Sequence, residues 1–239
     1  MTIKKIESKD TQYLFYRAVL AFRQLACDLL VEKEMAVVGI CGGRSISDFL
    51  GFLSRDHGIP WNRFQFFMLD ERLVPLESGD SNYGNLKTVF FDNMVDGGFL
   101  ERRQIHPFEF DEGHETEALS SYYKSLQRFG GYFDIILISS GEDGHIASLF
   151  PNHASICDEN EGYIIVNDSP KPPSRRISAS RKLIQKSKSG LLFFTGEAKS
   201  KALKLFHDDR SNYKDCPAKL AIDLQGLYVF TDLSMEKNS

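Results

Sequence analysis

The run Ile135-Ile136-Leu137-Ile138, halted at once by Ser139-Ser140-Gly141, constrains the fold of this 239-residue chain more than any other stretch. Four aliphatic residues in a row do not alternate, so the segment suits a strand covered on both faces, as strands of parallel sheets are. The pattern recurs. Residues 35–41 (MAVVGIC) run into Gly42-Gly43, residues 189–195 (SGLLFFT) run into Gly196, and the strand within 61–69 ends on Asp70-Glu71-Arg72. Shorter strands are predicted at 104–108, 163–166 and 227–231, and another begins at 177–179. Helical spacing separates them: over 12–34, from Ile46 to Leu53, from Tyr83 to Met94, over 114–129, and from Ala202 to Phe206. Strands alternating with amphipathic helices predict an α/β fold, a doubly wound, mostly parallel, Rossmann-like sheet with helices on both faces. No repeat, low-complexity tract or linker divides the chain, so one domain over 1–239 is expected. Residues 152–160 read as loop, and 235–239 as a frayed tail.

Open sheets of this kind bind ligands beyond the carboxyl ends of their strands. Four such ends carry chemistry. After the 135–138 run come Gly141, Glu142, Asp143, Gly144 and His145. A histidine beside acidic residues is a candidate proton carrier near neutral pH, although an isolated D-G-H triplet is more often a glycine turn with a surface histidine. Gly42, Gly43, Arg44 and Ser45 join a strand to a helix, which presents backbone N–H groups to an anion at the helix N-terminus. The segment matches neither a P-loop nor a dinucleotide fingerprint, and a Gly-Gly turn alone is often only a connection. Asp70, Glu71 and Arg72 are costly at a buried strand end unless they face solvent or a site. Lys199, in the first turn after Gly196, opposes the helix dipole, which suits a cation that meets a bound anion. Finally, the prolines of SPKPPSRR (169–176) stiffen a loop that holds out Lys171 and Arg175.

The balance of 29 basic against 33 acidic residues, net −4, gives no reason to expect nucleic acid or an anionic membrane surface as partner. No apolar run approaches the length of a membrane span, and MTIKKIESKD has no apolar stretch of the secretory kind. The four cysteines are scattered without a C-x-x-C pair, which points to reduced thiols in a cytoplasmic protein rather than a disulfide framework or zinc site.

Three stretches in order resemble the 6-phosphogluconolactonase family. DERLVP at 70–75 with SNYG at 81–84 looks like its D-E-R-x-V-P…S-N/T-Y region. GEDGHIASLFP at 141–151 resembles its G-x-D-G-H-x-A-S-L-F-P block, and DSPKPPSRRIS at 168–178 is similar to its S-P-K-P-P-x-R-x-T segment. Weaker similarity runs from the Gly42 loop to about Gly226. Glucosamine-6-phosphate deaminases share the fold and the D-G-H-I-A segment, but continue with F-N-E-P where this chain has Ser148-Leu149-Phe150-Pro151. Departures from the lactonase pattern are Arg44 beside the expected phosphate, Glu142 in the histidine turn, and Ser180-Arg181-Lys182 in place of an apolar run.

The resemblance implies hydrolysis of a sugar-phosphate lactone, 6-phospho-D-glucono-1,5-lactone, without cofactor or metal. His145 would be the general base, Asp143 or Asp70 would orient its ring, and Arg72 would hold the oxyanion. Gly42, Gly43, Arg44, Ser45, Lys171, Arg175 and Lys199 would bind phosphate. A monomer or weak homo-oligomer is expected. A non-catalytic sugar-phosphate-binding protein and the deaminase/isomerase are the alternatives.

Overall fold

In the computed structural model, which describes residues 2–234, the apolar runs lie side by side. In chain order the elements are β1 (Thr2–Glu7), α1 (Thr11–Glu32), β2 (Ala36–Ile40), α2 (Arg44–Leu53), β3 (Phe64–Met68), β4 (Asp70–Arg72), α3 (Asn82–Leu86), α4 (Asp92–Asp96), β5 (Ile105–His106), α5 (Glu115–Gln127), β6 (Ile135–Ser139), α6 (Ala154–Cys157), β7 (Tyr163–Val166), β8 (Arg176–Ala179), α7 (Arg181–Gln185), β9 (Ser189–Phe194), α8 (Ser200–His207) and β10 (Gly226–Thr231). The expected tail at 235–239 lies outside the described residues.

Seven strands form one sheet in the order β1-β10-β9-β6-β2-β3-β5, and every neighbouring pair is parallel. The chain winds outward from β2 through β3 to β5, returns to β6 beside β2, then winds the other way through β9 and β10. The order therefore reverses between β2 and β6, the switch point where such sheets open a crevice. Both faces are covered, as the unbroken runs require. Alternate residues divide between them: Val38, Ile40, Phe66 and Leu137 pack with α1 and α2, whereas Val37, Phe67, Ile136 and Ile138 pack under Tyr122 and Leu126 of α5.

α1 begins where Asp10 accepts hydrogen bonds from the N–H groups of Gln12 and Tyr13 at 3.0 and 3.1 Å. It buries Leu14, Phe15, Ala18, Phe22 and Ala26 against the sheet. At the opposite edge from the crevice, fully buried Asp134 tethers strand starts: it accepts from the N–H of Val37 at 3.0 Å and from Lys33 Nζ at 2.6 Å.

Three features depart from the sequence reading. Residues 2–7 form an edge strand, β1, although only Ile6 is less than exposed; pairing with β10, not side-chain burial, makes it a strand. Asp70-Glu71-Arg72, expected to face solvent or a site beyond β3, forms a strand of its own, β4, the edge of a three-stranded antiparallel sheet β4-β8-β7. Residues 154–157, read as loop, form α6 under the cap of His153, whose ring accepts from the N–H of Ser155.

His106 on β5 stacks on Phe67 at 4.2 Å, with Nε2 2.7 Å from Gln65 Oε1. Burial lowers its pKa from 6.5 to about 4. Between these values the unfolded chain takes up a proton that the folded chain refuses, so this contribution to stability is complete above pH 6.5 and is lost as pH falls towards 4. Urea denaturation of wild type and His106→Gln should show wild type losing stability relative to the variant over that window. A pH-independent difference would contradict this.

Candidate active site

Because the strands are parallel, their carboxyl ends share one edge, and there a cleft of about 670 Å³ opens. β2 contributes Cys41, Gly42 and Gly43; the β3–β4 junction contributes Asp70 and Arg72; the turn after β6 contributes Gly141, Glu142 and His145; β9 leads into Thr195, Gly196 and Lys199.

The histidine turn is closed by its own backbone. Gly141 N–H donates to the His145 carbonyl at 2.8 Å, and Gly144 N–H to the Gly141 carbonyl at 3.1 Å. Gly144 has φ +91°, a left-handed value suited to glycine. Gly141 is required for space: a Cβ there would lie 2.0 Å from His145 Nδ1. Over that bare backbone His145 Nδ1 reaches Asp143 Oδ1 at 2.6 Å. The same oxygen accepts from the His145 N–H at 3.1 Å. A carboxylate at Nδ1 selects the tautomer protonated there and leaves Nε2 as a base. Burial pushes the Asp143 carboxyl up, but the His145 hydrogen bond and charge, with Lys171 nearby, hold it well below the usual carboxylate range. The far side of the imidazole rests on Phe150, centroid to centroid 4.8 Å. Ala147, which also lines the cleft, is held at φ +48°, a strained setting that costs on the order of 1 kcal/mol for a residue with a Cβ.

Asp70 does not orient the imidazole. It accepts from Ser148 Oγ at 3.0 Å and lies 4% exposed at the cleft floor, so Asp143 alone has that part. The carboxylate of Glu71, fully buried, points away from the cleft and accepts from the N–H groups of Arg72, Asn82 and Tyr83, each at 2.7 Å. Burial still pushes it up. This clasp fixes β4 to the start of α3. Ser81 caps α3 by accepting from Gly84 N–H at 2.9 Å, which frees Asn82 to lie over Gly42 and line the cleft.

On the other wall Gly43, at φ +108°, starts α2 without a side-chain cap; its carbonyl accepts from the N–H groups of Ile46 and Ser47, so those of Arg44 and Ser45 are left for a ligand. Ser45 Oγ bonds Thr195 Oγ1 and ties the two glycine turns together. Lys199 is lowered by burial and then by Lys171 and Arg44, while Glu142 and Asp143 oppose the shift. Among the described residues, Arg44, Lys171 and Lys199 have no carboxylate within 4.0 Å.

Arg175 is not in the cleft. Its guanidinium donates to Glu115 at 2.8 Å on the surface. Successive side chains at a strand start point opposite ways, and it is the next residue, Arg176 on β8, that turns inward: it is 4% exposed and lines the cleft. Asn82, Thr195 and Arg176 were not anticipated as site residues. Among the described residues no group of three or more His, Cys, Asp or Glu side chains could hold a metal ion.

The chain matches the family model for glucosamine-6-phosphate isomerases/6-phosphogluconolactonase over residues 9–229. It is similar to the 6-phosphogluconolactonase of Borreliella burgdorferi, 39% identical over 209 residues, covering 87% of this chain and 88% of that one. The corresponding protein of Mycobacterium leprae is 32% identical over 185 residues, 73% of each chain. Among solved structures, a 6-phosphogluconolactonase from Thermotoga maritima superposes with TM-score 0.83 at 24% identity, covering 96% of this chain and 99% of that one. At such identity the likeness speaks for the fold.

The Gly141 contact makes a sharp expectation. Gly141→Ala should fold with a loss of about 1–3 kcal/mol from overpacking and should displace the imidazole from Asp143. The downfield imidazole N–H proton signal of the His–Asp bond should vanish from the NMR spectrum; its persistence would show that the ring tolerates a Cβ there.

Proposed function

The chain belongs to the glucosamine-6-phosphate isomerase/6-phosphogluconolactonase family, and from that premise we propose that it hydrolyses 6-phospho-D-glucono-1,5-lactone to 6-phosphogluconate, the lactonase step of the pentose phosphate pathway. One observation carries the reading: an imidazole whose Nδ1 is held by Asp143 shares a single cleft with Arg44, Lys171 and Lys199, three cations that among the described residues have no carboxylate within 4.0 Å.

His145 Nε2 takes a proton from water as its oxygen attacks the lactone carbonyl carbon. The resulting imidazolium is stabilised by Asp143, which stays ionised. The developing oxyanion faces Arg72, whose charge and N–H groups favour it over the neutral carbonyl. As the intermediate collapses, the bond from the carbonyl carbon to the ring oxygen breaks and His145 returns its proton to that oxygen. Water is consumed, and a hydroxyl and a carboxylic acid are made; the acid then releases its proton to solvent and leaves as the carboxylate. Positioned proton transfer contributes about 10²–10⁴ in rate, which suits an ester already activated by its ring. The phosphate lies on the Gly42-Gly43 backbone and the first turn of α2, with Ser45, Arg44, Lys171 and Lys199 around it.

The deaminase reading is less well supported. The segment that supplies a glutamate to the catalytic histidine in that branch here supplies Phe150, an apolar ring against His145. Arg44 and Glu142, both in the cleft lining, favour a non-catalytic binder on charge alone.

Purified protein should speed the decay of fresh lactone and release no ammonia from glucosamine 6-phosphate. His145→Ala should lower kcat about 10²–10⁴-fold while still binding 6-phosphogluconate; undiminished turnover would remove His145 from the mechanism. Lys199→Ala should raise KM with kcat little changed, because the phosphate does not alter during the reaction. A fall in kcat alone would contradict its place at the phosphate.

A further inference from the structure

Arg176 has no part in the chemistry just described, yet it is the most heavily engaged cation in the cleft wall. Its Nε donates to the Pro173 carbonyl at 2.9 Å, and its Nη2 to the Lys171 and Pro172 carbonyls at 3.1 and 3.0 Å. All three acceptors are consecutive residues of the proline-rich loop. Two of those residues are prolines and have no N–H of their own, so the loop cannot be fixed by a backbone ladder. Beyond Arg176, its ties are the Ser169 hydroxyl, which donates to the Lys171 carbonyl at 2.9 Å and accepts from the Lys171 N–H at 3.2 Å, and a backbone bond from Ser169 N–H to the Ser174 carbonyl. The guanidinium also lies over the Phe150 ring, 5.7 Å from its centroid, the same ring that backs His145.

This placement is electrostatically unfavourable in itself. Arg176 stands directly opposite Arg72 across the β4–β8 pair, and like charges so placed destabilise a sheet. Burial and Arg72 lower its pKa, with Asp70 and Glu71 opposing. A buried guanidinium facing another is expected only where its planar fork of donors does something an apolar side chain cannot.

We propose that Arg176 is a positioning residue: it binds the carbonyls of residues 171–173 and thereby holds the Lys171 ammonium at the anion end of the cleft. The proposal rests on the lactonase reading for the identity of the anion, a sugar phosphate, but not for the geometry. Its effect on binding is exerted through Lys171.

Arg176→Lys keeps the charge and loses the fork, so a residue needed only for its charge would be rescued and a positioning residue would not. Arg176→Gln keeps a planar donor without charge and serves as the second variant should the lysine variant not fold. Each is combined with Lys171→Ala in a double-mutant cycle. Arg176→Lys alone should raise KM for the phosphorylated lactone about tenfold, the loss of roughly one charge-assisted hydrogen bond, with kcat within about twofold. In the Lys171→Ala background the same substitution should change KM by less than about twofold. Equal effects in both backgrounds, or no effect of Arg176→Lys, would overturn the proposal. A purely structural role would lower the melting temperature and the active fraction without any dependence on Lys171. Should wild type bind 6-phosphogluconate without hydrolysing the lactone, the catalytic reading fails, while the cycle measured as Kd for 6-phosphogluconate still decides the role of Arg176. Binding of neither would end both.

Discussion

The absence of one carbon atom, the Cβ of residue 141, sets where the imidazole can stand. With glycine there, the His145 ring comes against the bare backbone of the turn and meets Asp143; a Cβ at residue 141 would collide with it. The remaining geometry follows from this contact. The turn must be tight enough to bring residue 145 back over residue 141, which the backbone bonds between them and the left-handed Gly144 achieve. It must also begin at a fixed point, which the buried β6 strand supplies at the place where the sheet order reverses. The carboxylate behind the ring then decides which nitrogen carries the proton.

The cleft separates its charges by task. Two carboxyls, Asp70 at the floor and Asp143 behind the imidazole, are each engaged by a protein donor. On the anion side, Arg44, Lys171 and Lys199 have no ion-pair partner among the described residues, and burial with neighbouring cations lowers the pKa of Lys199. Unpaired cations gathered in one place destabilise the empty protein and gain when a dianion arrives. Glu142 moderates that field. It raises the pKa of Lys199 from nearby and makes the anion site less positive than it would otherwise be. Tight retention of phosphate would slow release of a product that keeps the phosphate, so moderation is compatible with turnover.

Much of this was legible in the residues. β2, β6 and β9 announced themselves as unbroken apolar runs ending in glycine, because a doubly covered strand has no reason to alternate, and the glycine turns after them mark the crevice. β1 was not legible, since its side chains lie almost wholly in solvent and only its backbone pairing makes it a strand. β4 was hidden for the opposite reason: three consecutive charges carry no strand pattern, and only the donors that satisfy Glu71 make its burial tolerable. Arg175 and Arg176 are adjacent, and which faces inward depends on where β8 starts, a boundary that a proline-rich approach does not reveal. Asn82 was not legible as a site residue, because it simply follows the Ser81 cap and a lone asparagine carries no signal for lying against a distant glycine.

The central claim is spatial: one end of the ligand is gripped by the glycine turns and their cations while the other meets the imidazole. A crystal structure of the protein with 6-phosphogluconate tests it most directly. The phosphate should lie on the Gly42-Gly43 turn among Lys171, Lys199 and the start of α2, with the sugar-acid carboxylate beside His145 Nε2 and Arg72. A phosphate bound at the His145 end, or a ligand seated outside this cleft, would contradict the account.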